Sequence, residues 1–184
     1  AQQGVSAGEI GAFIGVILLP WSFKLINGSV MDRFSFLPMG RRRPWVISAQ
    51  VGMIVSLLSL TMVEDAAAQM SLITVIGFLV NFFGAFQDVA VDGMAIDIIP
   101  ENEQARANGL MWGGKTLGIA LSTALSGVLI SVYGLDAGAI SIAGAIALIM
   151  LVPLLTHERP GERLLPWSAG TASTAALELQ LHSW

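Results

Sequence analysis

The sequence predicts an all-α membrane protein with five transmembrane helices. Of its 184 residues, 54% are hydrophobic and only 12% are charged, and the mean hydropathy is +0.73. Soluble domains carry about 25% charged residues, so this chain has too few polar side chains to cover a surface that faces water. The apolar residues fall in five long runs separated by short polar turns, which is the pattern of a helical bundle in a lipid bilayer.

Each of the five runs is long enough to cross a bilayer: roughly residues 8–30, 45–63, 67–95, 104–133 and 137–155. Ser6 and Glu9 form a capping-box pattern at the start of the first run, and Pro20 predicts a kink within it. The polar residues 156–184 predict a loop, with a short helix near 175–181. Two small-xxx-small spacings in the fourth run predict close helix packing: Gly109 with Gly113, and Gly114 with Gly118.

The third run combines an apolar helix with a narrow polar stripe. Asn81, Gly84, Asp88 and Asp92 follow one another at intervals of three or four residues and therefore share one helix face. A charge in hydrocarbon costs roughly 2.5–3.5 kcal/mol on insertion scales, so this stripe should face protein or water rather than lipid. Gly84 leaves room for a neighbouring helix to come close.

All nine basic residues lie toward one side of the predicted membrane. They fall in alternate loops and the adjoining helix ends, whereas the loops near Glu64 and Asp136 contain no Lys or Arg. By the positive-inside rule the basic side is cytoplasmic, which places the first residues outside and the C-terminus inside. The odd number of helices, the outside start and the absence of a start methionine predict that a preceding helix is missing.

A loop motif carries the resemblance to a known family. Residues 28–33, Gly-Ser-Val-Met-Asp-Arg, and residues 40–43, Gly-Arg-Arg-Arg, resemble the loop between the second and third helices of the major facilitator superfamily. The second glycine comes eight positions after the Asp, so residues 34–39 contain an insertion relative to that motif. The extended loop, with residues 20–24 before it and residues 87–93 after it, resembles the branch that holds the muropeptide permeases and the acetyl-coenzyme A transporters.

The resemblance implies part of a twelve-helix secondary active transporter, with helices two to six present. The first helix and the whole C-terminal half would be absent, and residues 156–184 would begin the central cytoplasmic loop. In this family the Asp of the loop motif and its basic residues brace the cytoplasmic helix ends in the outward-facing state, which implies that role for Asp32, Arg33 and Arg41. The motif glycines are Gly28 and Gly40.

We hypothesise that a breakable ion pair closes the cytoplasmic side. Helix length places Asp88 just inside the inner boundary of the bilayer and Asp92 at or beyond it. Arg33 or Arg41 would then pair with Asp92 or Asp88 until the gate opens. Two other interpretations stay open: both acids could be interfacial carboxylates without a gating role, and Asp88 could belong to a proton relay.

Four side chains are candidates for the wall of a solute cavity: Asn81, Gln87, Lys115 and Lys24. Lys115 could meet an anionic solute or pair with the third helix. Lys24 could equally extend toward the interface or pair with a carboxylate. Asn81 lies deeper, but hydrogen bonding between helices would explain it as well.

The only nucleotide-binding pattern is weak in its context. Residues 109–116 fit G-x4-G-K-[ST], but a phosphate-binding loop follows a buried strand and opens a soluble helix. Here a charge-free apolar run follows it. His157 and His182 show no metal-ligand spacing, and the chain has no cysteine for a disulfide or a thiolate metal site. We therefore expect no enzymatic activity, cofactor, metal or nucleic-acid partner.

We expect an integral protein of a bacterial inner membrane that moves a small solute by alternating access, with or without a coupling proton. The alternative is a non-transport assembly or scaffold protein built on the same fold. A water-filled cavity lined by Asn81 and Lys115 would favour transport, whereas a cavity plugged by apolar side chains would favour the scaffold.

Overall fold

Long apolar helices account for most of the chain. The computed structural model describes residues 6–65 and 68–182. The helices in this part are α1 (Ala7–Leu18), α2 (Lys24–Arg33), α3 (Arg43–Ser59), α4 (Met70–Ile98), α5 (Glu101–Tyr133), α6 (Leu135–Leu155) and α7 (Thr174–His182). Five helical segments in the described residues are long and apolar enough to cross a membrane: α1 joined to α2, α3 with the turn after it, α4, α5 and α6. The predicted fold class is confirmed.

The first transmembrane segment changes from α-helix to a 3-10 turn where the sequence predicts a kink. Its start is the expected capping box, in which the Ser6 amide donates to Glu9 Oε2 at 2.8 Å and the Glu9 amide donates to Ser6 Oγ at 3.2 Å. The α-helix gives way to a 3-10 turn at Leu19–Phe23, which contains Pro20. Since proline removes a backbone donor, the tighter turn is a physical consequence of that residue.

The helix with the polar stripe extends further than its apolar pattern predicts. It begins at Met70 and ends at Ile98, whereas the sequence predicts 67–95; residues 66 and 67 lie outside the described residues. Asp88 is therefore ten residues before the end of α4, about 15 Å along the axis at 1.5 Å per residue. It lies well within the helix rather than near its C-terminal end.

The bundle is built around α4. It packs against α1, α2 and α3, while α6 packs against α3 on one side and α5 on the other. The core between α2, α3 and α4 contains Met31, Val46 and Ala90. Next to it, the rings of Trp45 and Phe86 stack with centroids 5.8 Å apart. These contacts position the polar stripe of α4 relative to α2.

Close packing between helices occurs at other glycines than those predicted. A Cβ atom placed on Gly52 of α3 would lie 2.6 Å from the ring of Phe83 on α4, so only glycine allows this approach. By contrast, a Cβ atom on any of the four glycines in the two predicted spacings on α5 would meet no described atom within 4 Å. The prediction of tight packing at Gly109, Gly113, Gly114 and Gly118 is therefore wrong for the part of the chain that the structure describes, because α5 contacts mainly α6.

Large apolar side chains cover the outside of the bundle. Leu25 on α2 is 89% exposed, and Leu110, Leu148 and Leu155 are each 69–70% exposed. Burial in hydrocarbon stabilises such side chains, at roughly 25 cal/mol per Å² of apolar surface removed from water. The outer surface is that of an integral membrane protein.

Candidate functional site

Two lysines from different helices converge on one carboxylate in the middle of the bundle. Asp88 of α4 accepts a hydrogen bond from Lys24 of α2 on Oδ2 and one from Lys115 of α5 on Oδ1, the latter at 2.5 Å. The Asp88 side chain is 15% exposed and each lysine side chain 36%. A buried carboxylate without a partner would be strongly destabilising, so these two ion pairs allow Asp88 to be ionised inside the membrane-spanning part of the bundle.

Aromatic rings lie beside both lysines. The Lys24 ammonium is 4.9 Å from the centre of the Trp21 ring, and the Lys115 ammonium is 5.6 Å from the same ring. Lys115 also lies 5.2 Å from the ring of Trp112, its neighbour on α5. These distances fit cation–π interactions, which hold each ammonium group over the faces of the rings.

Asn81 supports this arrangement from one side. Its Oδ1 accepts a hydrogen bond of 2.8 Å from Trp21 Nε1, and its Nδ2 donates to the carbonyl of Gly77. Asn81 therefore orients Trp21, in line with the alternative of hydrogen bonding between helices, and it is not among the residues that line the cavity described below.

The lysine–aspartate cluster forms the wall of a cavity of about 430 Å³. Such a volume is within the range of small-molecule sites, about 300–1,000 Å³. The wall includes four charged side chains, two indole rings and one amide: Lys24, Asp88, Asp92, Lys115, Trp21, Trp112 and Gln87. Of the four candidate cavity residues, Lys24, Gln87 and Lys115 belong to this wall.

Helical periodicity explains how α4 contributes to this wall. Helical periodicity places four lining residues on the same side of α4, where they face the cavity: Gly84, Gln87, Asp88 and Val91. Asp92, one turn beyond Asp88, also lines it. Within the described residues its carboxylate forms no hydrogen bond or ion pair, so the cavity contains one paired and one unpaired acid.

A second charged cluster lies at the end of the bundle where α2, α4 and the loop before α3 meet. Arg41 donates to Asp32 Oδ1 at 2.8 Å and to Asp97 Oδ2 at 3.0 Å. Arg42 forms ion pairs with the same two carboxylates at 2.7 and 3.4 Å. The two arginines therefore bridge the ends of α2 and α4.

This cluster differs from the predicted ion pair. The sequence predicts that Arg33 or Arg41 pairs with Asp92 or Asp88, whereas the structure pairs Arg41 with Asp32 and Asp97. The physical reason is that α4 continues to Ile98, so the acid level with the loop is Asp97 and not Asp92. Sequence reasoning missed Asp97, although its place in the last turn of a longer α4 would have indicated it.

The comparison with known families covers almost the whole chain. The model of the Major Facilitator Superfamily matches residues 1–183. The chain belongs to this superfamily.

Relatives of this superfamily member are several times longer than the matched region. An uncharacterised protein of Haemophilus influenzae is 30% identical over 129 residues, which cover 65% of this chain and 30% of that protein. The anhydromuropeptide permease of Escherichia coli is 25% identical over 124 residues, 67% of this chain and 25% of that one. An uncharacterised protein of Schizosaccharomyces pombe is 26% identical over 126 residues, 66% of this chain and 24% of the relative. The chain thus spans less than a third of these curated relatives. No solved structure matches it.

The tail after α6 is part of the charged end of this superfamily bundle, which sequence reasoning missed. Glu158 Oε2 accepts hydrogen bonds from the backbone amides of Arg42 and Arg43, at 2.8 and 2.9 Å. A carboxylate at these free amides satisfies the start of α3 and interacts favourably with the helix dipole. Arg159 donates to the carbonyl of Asp97 at 2.9 Å, which ties the tail to α4 as well.

The two motif glycines have different environments. Gly40 has a φ of +106°, and a Cβ atom there would lie 2.5 Å from Glu158 Oε2. Only glycine fits both the backbone and the space, so Gly40 allows the tail to approach the loop. Gly28 sits inside α2 in ordinary contact with Val89, and Arg33 is the exposed last residue of α2.

The residues that match the nucleotide-binding pattern do not form a loop. Residues 109–116 lie entirely within α5, so their amides are part of a continuous helix rather than a phosphate cradle. Among the described residues, no group of three or more His, Asp or Glu side chains could hold a metal ion.

Proposed function

We propose that this protein carries a small solute across a membrane by alternating access. The observation that supports this most directly is the cavity of about 430 Å³ with four charged side chains in its wall, between helices that cross the bilayer. Charged groups at such a depth are costly and, in membrane proteins, mark pathways for substrates or ions. A scaffold on the same fold would have a cavity filled by apolar side chains, whereas the wall of this cavity contains charged side chains.

The five transmembrane helices correspond, in this proposal, to helices two to six of a twelve-helix transporter. The matched relatives are long enough for the remaining helices, since the aligned region covers only 30% and 25% of two of them. Residues 156–184 would begin the central cytoplasmic loop, and the remaining transporter helices would complete the solute site at the midplane. We place the basic end in the cytoplasm of a bacterial cell on the positive-inside rule.

The lysine–aspartate cluster has the properties of a solute contact. An anionic group of the solute can compete with Asp88 for Lys24 and Lys115, because both ammonium groups border the cavity. Asp88 would then need another cation or a proton, so a coupling proton is compatible with this exchange.

The arginine cluster at the helix ends has the properties of a gate contact. Arg41 and Arg42 join the end of α2 to the end of α4 through shared carboxylates. We propose that some of these ion pairs break when the cytoplasmic side opens, so that the closed and open states differ in energy at this contact.

Uptake by the reconstituted protein tests the proposal. The printed name of the Escherichia coli relative makes an anhydromuropeptide the first solute to measure. With the protein expressed at its full natural length in liposomes, Asp88→Asn should lower initial uptake at least about tenfold, since both lysines lose their carboxylate. If that variant does not fold, the double variant Asp88→Asn with Lys115→Gln is used instead, because it removes one charge of each sign.

The matched control is Asp136→Asn, in the first turn of α6 and outside the cavity, which should keep wild-type uptake. Equal uptake by the wild type and the Asp88 variant would contradict the role of this cluster. A folded wild type that moves no anhydromuropeptide, peptide or sugar would contradict transport and favour the scaffold.

A further inference from the structure

A second cavity adjoins the charged one along α4. It measures about 390 Å³, lies between α3, α4 and α6, and has mostly apolar walls. Residues that matter for its chemistry are Val46, Gln50, Gln87, Val91, Met94 and Val152. Gln87 and Val91 also line the charged cavity, so the two spaces share one stretch of wall.

Two side-chain amides in this cavity have unmet hydrogen-bonding capacity. Gln50 of α3 is 2% exposed, and its Oε1 is buried without a donor. The Oε1 atom of Gln87 on α4 is likewise buried without a hydrogen-bond donor. In the described parts of the chain, neither side chain forms any hydrogen bond. Buried polar groups are normally paired, so each of these amides indicates a partner that the described residues do not supply.

The charged side chains in the wall of this cavity, Arg43 and Glu158, already have partners. The Arg43 guanidinium donates to the carbonyls of Met39, Pro153, Arg163 and Leu164. The Glu158 carboxylate accepts the two amides at the start of α3 and a hydrogen bond from Arg159. These groups therefore favour a neutral ligand over an ion.

From these contacts we infer that Gln50 and Gln87 form a subsite for an uncharged secondary amide of the solute, with its short alkyl group against Val46, Met94 and Val152. An amide N–H satisfies an unpaired glutamine oxygen, and an amide carbonyl accepts from a glutamine N–H₂. This inference rests on the proposed function and gives the solute two parts: an anion for Lys24 and Lys115, and a neutral amide beyond Gln87.

Two small probes that differ in one donor test the subsite. N-acetylalanine has a carboxylate and an acetylated N–H, and O-acetyl-lactate has the same groups with an ester oxygen in place of the N–H. The described chain offers no cysteine, so Val91→Cys in the full natural-length protein, with any other cysteines replaced, reports on the shared wall. The readout is the rate of labelling by N-ethylmaleimide in lipid nanodiscs.

N-acetylalanine should protect Val91→Cys at a concentration about tenfold lower than O-acetyl-lactate, a difference of about 1.4 kcal/mol. Gln50→Leu and Gln87→Leu should each abolish this difference. The matched control Gln104→Leu, whose amide binds the carbonyl of Ile99 outside the cavity, should retain it.

Equal protection by both probes would overturn the inference. A Val91→Cys thiol that stays unreactive without any probe would also overturn it, because another segment of the protein would then fill the cavity. Protection that depends on Gln50 but occurs in protein without measurable uptake would support the subsite and contradict transport. The two proposals can therefore fail separately.

Discussion

Three aspartates on α4 illustrate how the surroundings decide the role of one residue type. Asp88 binds two lysines, Asp97 binds two arginines, and Asp92 between them forms no ion pair within the described residues. Their positions on one helix follow from the sequence, but their partners come from α2, α5 and the loop before α3. The position of each aspartate along α4 therefore does not by itself determine which cation it binds.

Glu162 in the tail carries a pH-dependent part of the packing. Burial raises the pKa of this carboxyl above its ordinary value of 4.5, and the Glu158 carboxylate adds to the effect, whereas the Arg159 amide opposes it. Because the folded-state pKa is raised, the stabilisation is fully present below pH 4.5 and is lost as the pH rises through the folded-state pKa. Docking of the tail should therefore weaken on going from acidic to neutral pH.

Hydrogen exchange of the Arg163 amide measures this docking, since that amide donates to the Pro38 carbonyl at 2.6 Å. Its protection factor, corrected for the intrinsic rate, should fall as the pH rises above 4.5. Glu162→Gln should flatten the dependence, and Glu178→Gln, on the exposed side of α7, should leave it unchanged. A protection factor that rises with pH would contradict the sign of the effect.

At the scale of elements, the approach of α3 to α4 sets the geometry of both cavities. Gly52→Ala would place a Cβ atom 2.6 Å from the Phe83 ring, which is itself packed edge-on against Phe82 at 5.5 Å. Overpacking of this kind costs about 1–3 kcal/mol, more than the roughly 0.5–1 kcal/mol that alanine contributes over glycine in a helix. We expect a lower melting temperature of the protein in detergent.

The control for this prediction is Gly28→Ala. Its Cβ atom would lie 3.8 Å from Val89 Cγ1, an ordinary contact, so the variant should be as stable as the wild type or slightly more stable. If the two variants melt at the same temperature, then α3 and α4 are further apart than the structure has them.

At the scale of the whole molecule, the basic residues gathered at one end of the bundle predict its orientation in the membrane. Arg41 and Arg159 both bind Asp97, so the loop before α3, the end of α4 and the tail lie together. With this basic end in the cytoplasm, cysteines at Glu64 and Asp136 should react with an impermeant maleimide on intact cells. Cysteines at Glu101 and His157 should react only after the membrane is permeabilised, and the reverse pattern would contradict the orientation.

The sequence by itself determined the architecture. The length of the apolar runs predicts five transmembrane helices, because a bilayer demands about 20 apolar residues for each crossing. The capping box at Ser6 and the break at Pro20 also follow from local chemistry, which depends only on neighbours along the chain. For the same reason, helical periodicity places Gly84, Asp88 and Asp92 on one face of α4, and all three line one cavity.

Only the tertiary structure decided which charges meet. Lys24 and Lys115 reach Asp88 from different helices, Arg41 binds Asp97, and Glu158 caps α3 from a distant tail. Ion pairs and cavities depend on how helices are rotated and how far each extends, and those quantities come from packing at sites such as Gly52 and Phe83. A periodic pattern identifies the polar face of a helix, but the neighbouring helices determine what that face binds.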